Sequence, residues 1–214
     1  RGVKAWPVTR RRALFLVALG VLLVPVGRFA FDIITYPSDR TPEGAYYRIV
    51  SAVNNRRAAW VFPYTETAAQ HACYTIRDYR RAARERILAA YPAEEGAAWL
   101  AAHAEEALAP DGSDVFAIYA RRLGWLDSLR RDLSGVAQIT VEGDRATVQT
   151  VRGTRYSFRR RENGIWGLTQ FTALLVAEAE KAARDAAMIE RAAADYERVR
   201  ARSAASGAAP AAPR

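Results

Sequence analysis

Few side chains in this sequence are suited to metal or nucleophilic chemistry, since it contains two histidines and one cysteine. His71 and Cys73 are two positions apart on a predicted helix, where such residues point to different sides, so they make a poor metal-binding pair. His103 is followed by Glu105 and Glu106, which is not the H-E-x-x-H spacing of a helical zinc site. We predict no metal, no cofactor and no catalytic residue; the pattern favours histidines on helix faces and a buried free thiol.

Aromatic residues form a second candidate set, because large rings can line a ligand pocket. The set consists of Trp60, Tyr119, Trp125, Tyr156 and Trp166. The alternative is that these rings fill the hydrophobic core. Motifs of dinucleotide binding, of P-loop enzymes and of serine hydrolases do not occur in the sequence.

A cluster of arginines is the third candidate, and it consists of Arg152, Arg155, Arg159, Arg160 and Arg161. Even spacing places Arg155, Arg159 and Arg161 on one side of a strand, where guanidinium groups could hold an acidic protein patch or anionic headgroups. We predict partner binding at Arg152, Arg155, Arg159 and Arg161. The alternative is a solvated face whose charge is balanced by nearby acids, Glu142, Asp144 and Glu162.

These arginines belong to the one stretch with sustained β character, residues 136–171. Four runs rich in β-branched and aromatic residues are separated by turn sequences, Gly143-Asp144, Arg152-Gly153 and Glu162-Asn163-Gly164. In the first three runs, apolar and polar residues alternate. The pattern predicts an antiparallel meander of three or four strands with one apolar face covered by several helices and one wet face.

The stretch before the meander has helical periodicity. Thr41-Pro42-Glu43 is typical of a helix start, and Asn54-Asn55 suggests the end of that helix. A second helix is predicted over about 66–91 and a third over 92–109. A fourth follows Asp111, with Gly124 as a kink.

A long helix is predicted from Thr172 to about Arg202, followed by a disordered Ala/Pro tail over 203–214. Its apolar positions repeat every four and three residues and form a seam made mostly of alanine: Leu175, Ala179, Ala182, Ala186, Ile189, Ala193 and Tyr196. The favoured partner of this seam is a helix or the sheet of the same domain. A coiled-coil partner or a homodimer stays open as the alternative.

The net charge of +9 is concentrated near the start of the chain. Residues 1–12 contain five basic residues and no acid, and Arg28 is a sixth; without these six, 26 basic residues face 23 acidic ones. The excess therefore flanks an apolar segment and does not form a basic domain, which argues against a nucleic-acid partner.

That apolar segment, residues 13–31, would rise about 28 Å as a helix, close to the hydrocarbon thickness of a bilayer. We predict a single-pass anchor in the inner membrane. The basic flank (1–12) would lie in the cytoplasm, and a linker (32–40) would lead to an extracytoplasmic domain (41–202). A cleaved signal peptide and a buried core helix are the alternatives.

The order of helices followed by a meander resembles the NTF2-like superfamily of cystatin-like α+β folds. TPEGAYYRIVSAVNN is similar to the first helix of bacterial secreted NTF2-like domains, and GDRATV with YSFRRRENGIWGL is similar to their closing strands. The resemblance covers about residues 41–171. It implies a fold that serves enzymes as well as binding modules. Some enzymes of the superfamily use a tyrosine and an acid for proton transfer, for which Tyr119, Tyr156 and Asp114 are available.

The leading prediction is a non-catalytic binding or assembly module with a protein partner, anchored in the bilayer by residues 13–31. One alternative is a small-molecule-binding or isomerase-like NTF2 enzyme. Another is an accessory subunit of a membrane complex, docked through its single span and the alanine seam.

Overall fold

The computed structural model describes residues 37–207, which form an α+β fold with a long C-terminal helix. Residues 39–214 make up one unit, and of the first unit, 1–38, only Pro37 and Ser38 are described. The helices of the described part are α1 (Pro42–Asn54), α2 (Thr67–Ala90), α3 (Ala93–Ala102), α4 (Ala104–Leu108), α5 (Gly112–Arg122), α6 (Trp125–Asp132) and α7 (Thr172–Gly207).

The predicted meander is confirmed. Its strands are β1 (Val136–Glu142), β2 (Arg145–Thr150), β3 (Arg155–Arg160) and β4 (Trp166–Leu168), and they form one antiparallel sheet in chain order. On β2 and β3 the alternation places one set of side chains in the core, namely Ala146, Val148, Thr150, Tyr156 and Phe158. The side chains between them are exposed or half-buried, so one face of the sheet is open.

Helix α1 begins at the predicted cap and lies on the apolar face of the sheet. The Thr41 hydroxyl accepts a hydrogen bond from the amide of Gly44 at 3.1 Å, and Pro42 occupies the first turn. The Tyr46 hydroxyl donates to the Ser134 carbonyl at 2.6 Å, which fixes the helix to the start of β1. Several helices were expected on this face; helices α3, α4, α5 and α7 pack against α2, and α6 packs against α1 and α5.

A close backbone contact joins β4 to the start of α2. The amide of Glu66 donates to the carbonyl of Leu168 at 3.1 Å, and Thr65 pairs with Leu168 as an isolated parallel bridge. A Cβ atom on Gly167 would lie 2.5 Å from the Thr65 carbonyl oxygen, so only glycine fits there. The Glu66 carboxylate accepts from Arg159 at 3.0 Å and from the Thr172 hydroxyl at 2.8 Å. This carboxylate therefore connects α2, β3 and α7.

Helices α2 and α7 leave this joint side by side and run parallel. Their cross-links rise together in sequence number: Arg80 pairs with Asp185 at 2.6 Å, and Arg200 donates to the Ala90 carbonyl at 2.7 Å. The alanine seam of α7 packs against the buried stripe of α2, which includes Ala72, Ile76, Ala83 and Ile87. The predicted intradomain partner is thus confirmed, and the seam is not a free surface for a coiled coil or for docking to a membrane complex.

Two predicted helices are interrupted. The helix expected over 92–109 breaks at His103, which lies half-buried with its ring 4.7 Å from that of Trp99. The two residues are four positions apart, so their rings lie on the same side of the helix, and His103 is neither fully solvated nor fully buried. The kink expected at Gly124 is a full break, since Gly124 adopts a left-handed φ of 64° between α5 and α6.

Several predicted segments lie outside the described residues: the flank 1–12, the anchor 13–31, most of the linker and the final residues 208–214. The last helix ends at Gly207, five residues beyond its expected end at Arg202. A span of the bilayer would need a longer or more apolar helix than any found over residues 37–207.

We expect Gly167→Ala to lower the free energy of unfolding by roughly 3 kcal/mol, because its Cβ would collide with backbone and not with a flexible side chain. Gly135→Ala is the matched control, since a Cβ there meets only Val151 at 3.6 Å. Denaturant unfolding of both variants checks the difference, and equal stability would contradict a tight joint.

Candidate ligand-binding site

A hollow of about 560 Å³ lies between the end of α1 and the helix pair α5 and α6. We call it the Trp60 hollow. Its lining residues are Arg56, Arg57, Ala58, Ala59, Trp60, Ala117, Ala120, Arg121, Gly124, Leu126 and Asp127. The alanines and Leu126 are buried or half-buried, whereas Trp60 and the charged residues are exposed. The hollow therefore has small apolar walls and a charged, aromatic mouth.

Local sequence explains why Trp60 faces outward. A 3-10 turn over Ala58–Trp60 leads into Val61 and Phe62, and both of these side chains are buried in the core. With the next two residues fixed inward, the Trp60 side chain is left 51% exposed. The Arg57 guanidinium lies over the indole, 4.0 Å from the ring centroid, in a cation–π contact.

Arg56 holds an unusual backbone conformation at the end of α1. Its amide donates to the Val53 carbonyl and the Arg57 amide donates to that of Ala52, which is a Schellman ending. The residue at this position has a left-handed φ, here 55°, and is usually glycine. Within residues 37–207 the other left-handed positions are all glycines, whereas Arg56 pays the steric cost of a side chain there.

The hollow carries an excess of positive charge. Arg121 donates to Glu105 at 2.5 Å, and Asp127 is paired with Arg130 at 3.2 Å. Neither Arg56 nor Arg57 has an ion pair with a described residue. Two guanidinium groups at the mouth are thus available to an anion.

The predicted aromatic pocket is not formed as a set, because only Trp60 of the five residues lines this hollow. Trp125 stacks on Phe171 with ring centroids 4.4 Å apart, and the Trp166 indole donates to the Arg40 carbonyl at 3.1 Å. Tyr156 is buried beside Tyr46. These rings fill the core or close loops onto it.

The tyrosines considered for proton transfer also lie in different surroundings. Tyr119 donates to Glu178 at 3.3 Å, and burial is the main cause of its raised pKa. Burial raises the pKa of Tyr156 to about 12. Asp114 accepts from the Asp111 amide in the capping box of α5. Both hydroxyls therefore stay protonated at neutral pH, and the acid serves a helix end.

The four arginines predicted to bind a partner do not form one surface. Arg159 is held by Glu66, and Arg161, which lies beyond the end of β3, donates to the Pro63 carbonyl at 2.7 Å. Burial lowers the pKa of Arg161. Arg152 donates to the Arg131 carbonyl near the start of β1. Arg155 alone of the four lies on the open face without a charged partner among the described residues.

The open sheet face is polar at nine successive positions. Its rows across β1, β2 and β3 are Gln138–Gln149–Arg155, Thr140–Thr147–Ser157 and Glu142–Arg145–Arg159. This composition is what a solvated face requires, so it gives no specific sign of a ligand.

The histidines and the thiol do not create a metal site in the described part of the chain. His71 is exposed on α2, whereas Cys73 is buried and its thiol pKa is raised to about 12 by burial. The expectation of a buried free thiol is confirmed.

The Trp60 hollow is the candidate site, because an indole, guanidinium groups and apolar walls can together bind a carboxylate attached to an apolar group. Sequence reasoning identified Trp60 but missed Arg56, Arg57 and Arg121. The available signal was the run Asn54-Asn55-Arg56-Arg57, which ends three residues before Trp60. Comparison of the chain with protein-family models, curated proteins and solved structures finds no match.

We expect Arg56→Gly to be more stable than Arg56→Ala by about 0.5–1 kcal/mol, because glycine relieves the left-handed strain and loses part of that gain to unfolded-chain entropy. Both variants lack the guanidinium, so their difference isolates the backbone effect. Chemical denaturation measures it, and a more stable alanine variant would contradict the assigned conformation.

Proposed function

We propose that this chain is a non-catalytic binding module that recognises an acidic segment of a protein partner at the Trp60 hollow. The observation that carries the proposal is the exposed Trp60 ring beneath the Arg57 guanidinium, at the mouth of a hollow with apolar walls. Trp and Arg are the residue types that most often dominate the binding energy of protein interfaces.

The hollow suits a short segment that combines an apolar side chain with carboxylates. Ala117, Ala120 and Leu126 offer apolar contacts inside, and the volume of about 560 Å³ is within the usual range of binding clefts. At the mouth, Arg56 and Arg57 supply charge-assisted hydrogen bonds to carboxylates. Charge complementarity therefore favours an acidic partner over a neutral or basic one.

The position of the module is part of the same proposal. Residues 13–31 anchor it in the inner membrane, with the N-terminus in the cytoplasm and the domain outside. The five basic residues of the preceding flank support that orientation. An NTF2-like assignment of residues 41–171 is also part of the proposal, and the order of α1, further helices and a meander supports it.

The binding proposal is tested by selecting peptides from a random 12-residue display library on the full chain in mild detergent. We expect the selected peptides to be enriched in Asp or Glu beside an apolar residue. Trp60→Ala should weaken their binding by more than about tenfold, since an aromatic anchor is lost. Arg57→Gln should weaken binding less and reduce its salt dependence.

The control is Arg160→Gln, which removes an exposed arginine far along the chain on β3. Selected peptides without acid enrichment, or equal binding to Trp60→Ala and the original chain, would overturn the proposal. Saturable binding of a simple aromatic carboxylate such as benzoate, with no peptide selected, would favour a small-molecule site instead.

The anchor has its own test. We expect the chain to stay in the membrane pellet after alkaline carbonate extraction, because an apolar helix over 13–31 would hold it in the bilayer. N-terminal sequencing of the native protein completes the measurement. A soluble mature chain that begins near Phe29 would rule out the anchor without affecting the Trp60 hollow.

A further inference from the structure

Among the described residues, one edge of the sheet is paired with another segment and the other edge is not. At the β4 edge, Thr65 and Glu66 pair with Leu168 and close the strand. At the other edge, β1 pairs with β2 on its inner side, and no described residue pairs with its outer side. An unpaired strand edge presents a row of free amide and carbonyl groups to a further strand.

The β1 edge lacks the features that usually prevent pairing. Its first six residues carry no charge and no proline, and the one register shift lies at the start, between Val136 and Gln138. Regular register continues from Gln138 to Glu142, about 17 Å of strand. Val141 is on the apolar side of the sheet, opposite the buried Ala146, yet its side chain is 52% exposed. The edge therefore offers both backbone groups and apolar area.

The charges near the two ends of β1 differ: the exposed Arg131 and Arg152 outnumber one exposed acid, Asp132, near its start, whereas Glu142 is the one charged residue of the strand itself and lies at its end. At its start, the Arg152 amide donates to the Ser134 hydroxyl at 3.3 Å, and the Arg152 guanidinium donates to the carbonyl of the exposed Arg131. At its end is the exposed Glu142, which has no ion pair with a described residue although Arg145 lies opposite it on β2. Asp144, which follows, is paired with Arg159 at 3.6 Å. A strand with a carboxylate at one end and an excess of arginine near the other complements an antiparallel copy of itself.

We propose that two copies of this chain associate through their β1 edges, antiparallel about a two-fold axis at Ile139, to form one continuous sheet in which each Ile139 lies opposite its counterpart. In this arrangement Glu142 of each copy lies beside the basic start of β1 in the other, so the same charge contact occurs twice. The single acid of the strand meets arginine and not a second Glu142. This association uses a surface separate from the Trp60 hollow and does not depend on the function proposed there.

The apolar part of the edge is tested with the full chain in mild detergent by sedimentation velocity. We expect a dimer for the original chain and for Val199→Lys, which places the same charge at an equally exposed valine on α7. Val141→Lys should weaken association by at least about tenfold, because a charge on the edge blocks strand pairing. A monomer up to about 100 µM, or equal dimerisation of the two lysine variants, would overturn the proposal.

A charge exchange tests the orientation. Glu142→Arg and Arg152→Glu should each reduce self-association, since both create like charges at the two contacts. When the two variants carry different fluorophores and are mixed, they should associate with each other. In this mixed dimer, the two substituted positions form one contact, and the native Arg152 of one variant meets the native Glu142 of the other at the second contact. Energy transfer reports the mixed dimer, and its absence, while the original chain dimerises, would overturn the antiparallel arrangement.

Discussion

The arrangement of the long helices depends on the backbone contact between Thr65–Glu66 and Gly167–Leu168. A side chain on Gly167 cannot be accommodated there, since its Cβ would be 2.5 Å from a carbonyl oxygen. The contact brings the start of α2 and the last strand together although they are a hundred residues apart in the chain. Because α7 starts directly after that strand, the direction of both long helices is fixed at one place, and Glu66 holds that place through Arg159 and Thr172.

The parallel course of α2 and α7 has consequences for packing. Small residues allow the two helices to approach closely, and the Arg80 side chain, 1% exposed, lies between them and pairs with Asp185. Such a buried pair adds little net stability, since desolvation offsets most of its attraction, but it disfavours other registers of the two helices. The chain must then return from the far end of α2 to the sheet, which α3 to α6 do. Their path brings α5 and α6 against the end of α1, where the Trp60 hollow forms.

Sequence patterns predicted the helix ends, the buried helix faces and the turns, because these depend on residues that are close in sequence. The cap at Thr41, the stripe of α2 and the glycine turns of the meander place those elements within a residue or two, because local hydrogen bonds and periodicity determine them. Whether each aromatic side chain is buried or exposed could not be predicted from neighbouring residues. Trp60 and Trp125 each lie between a small residue and an aliphatic one in the sequence. Trp125 nevertheless stacks on Phe171, whereas Trp60 is exposed. That difference arises from long-range packing.

Stability and solubility explain the residues of the open sheet face, but they do not explain those of the Trp60 hollow. Polar residues on a solvated sheet face are what stability and solubility require, so Arg155 and its neighbours need no further cause. Residues 56–60 depart from those requirements at three points: a non-glycine residue at left-handed φ, an exposed indole and guanidinium groups without carboxylate partners. Glycine supplies the left-handed conformation at Gly124, Gly143, Gly153 and Gly164, so the steric cost at Arg56 is specific to that position. Strain of this kind concentrates at sites under functional constraint, and here it coincides with the residues best suited to bind an anion.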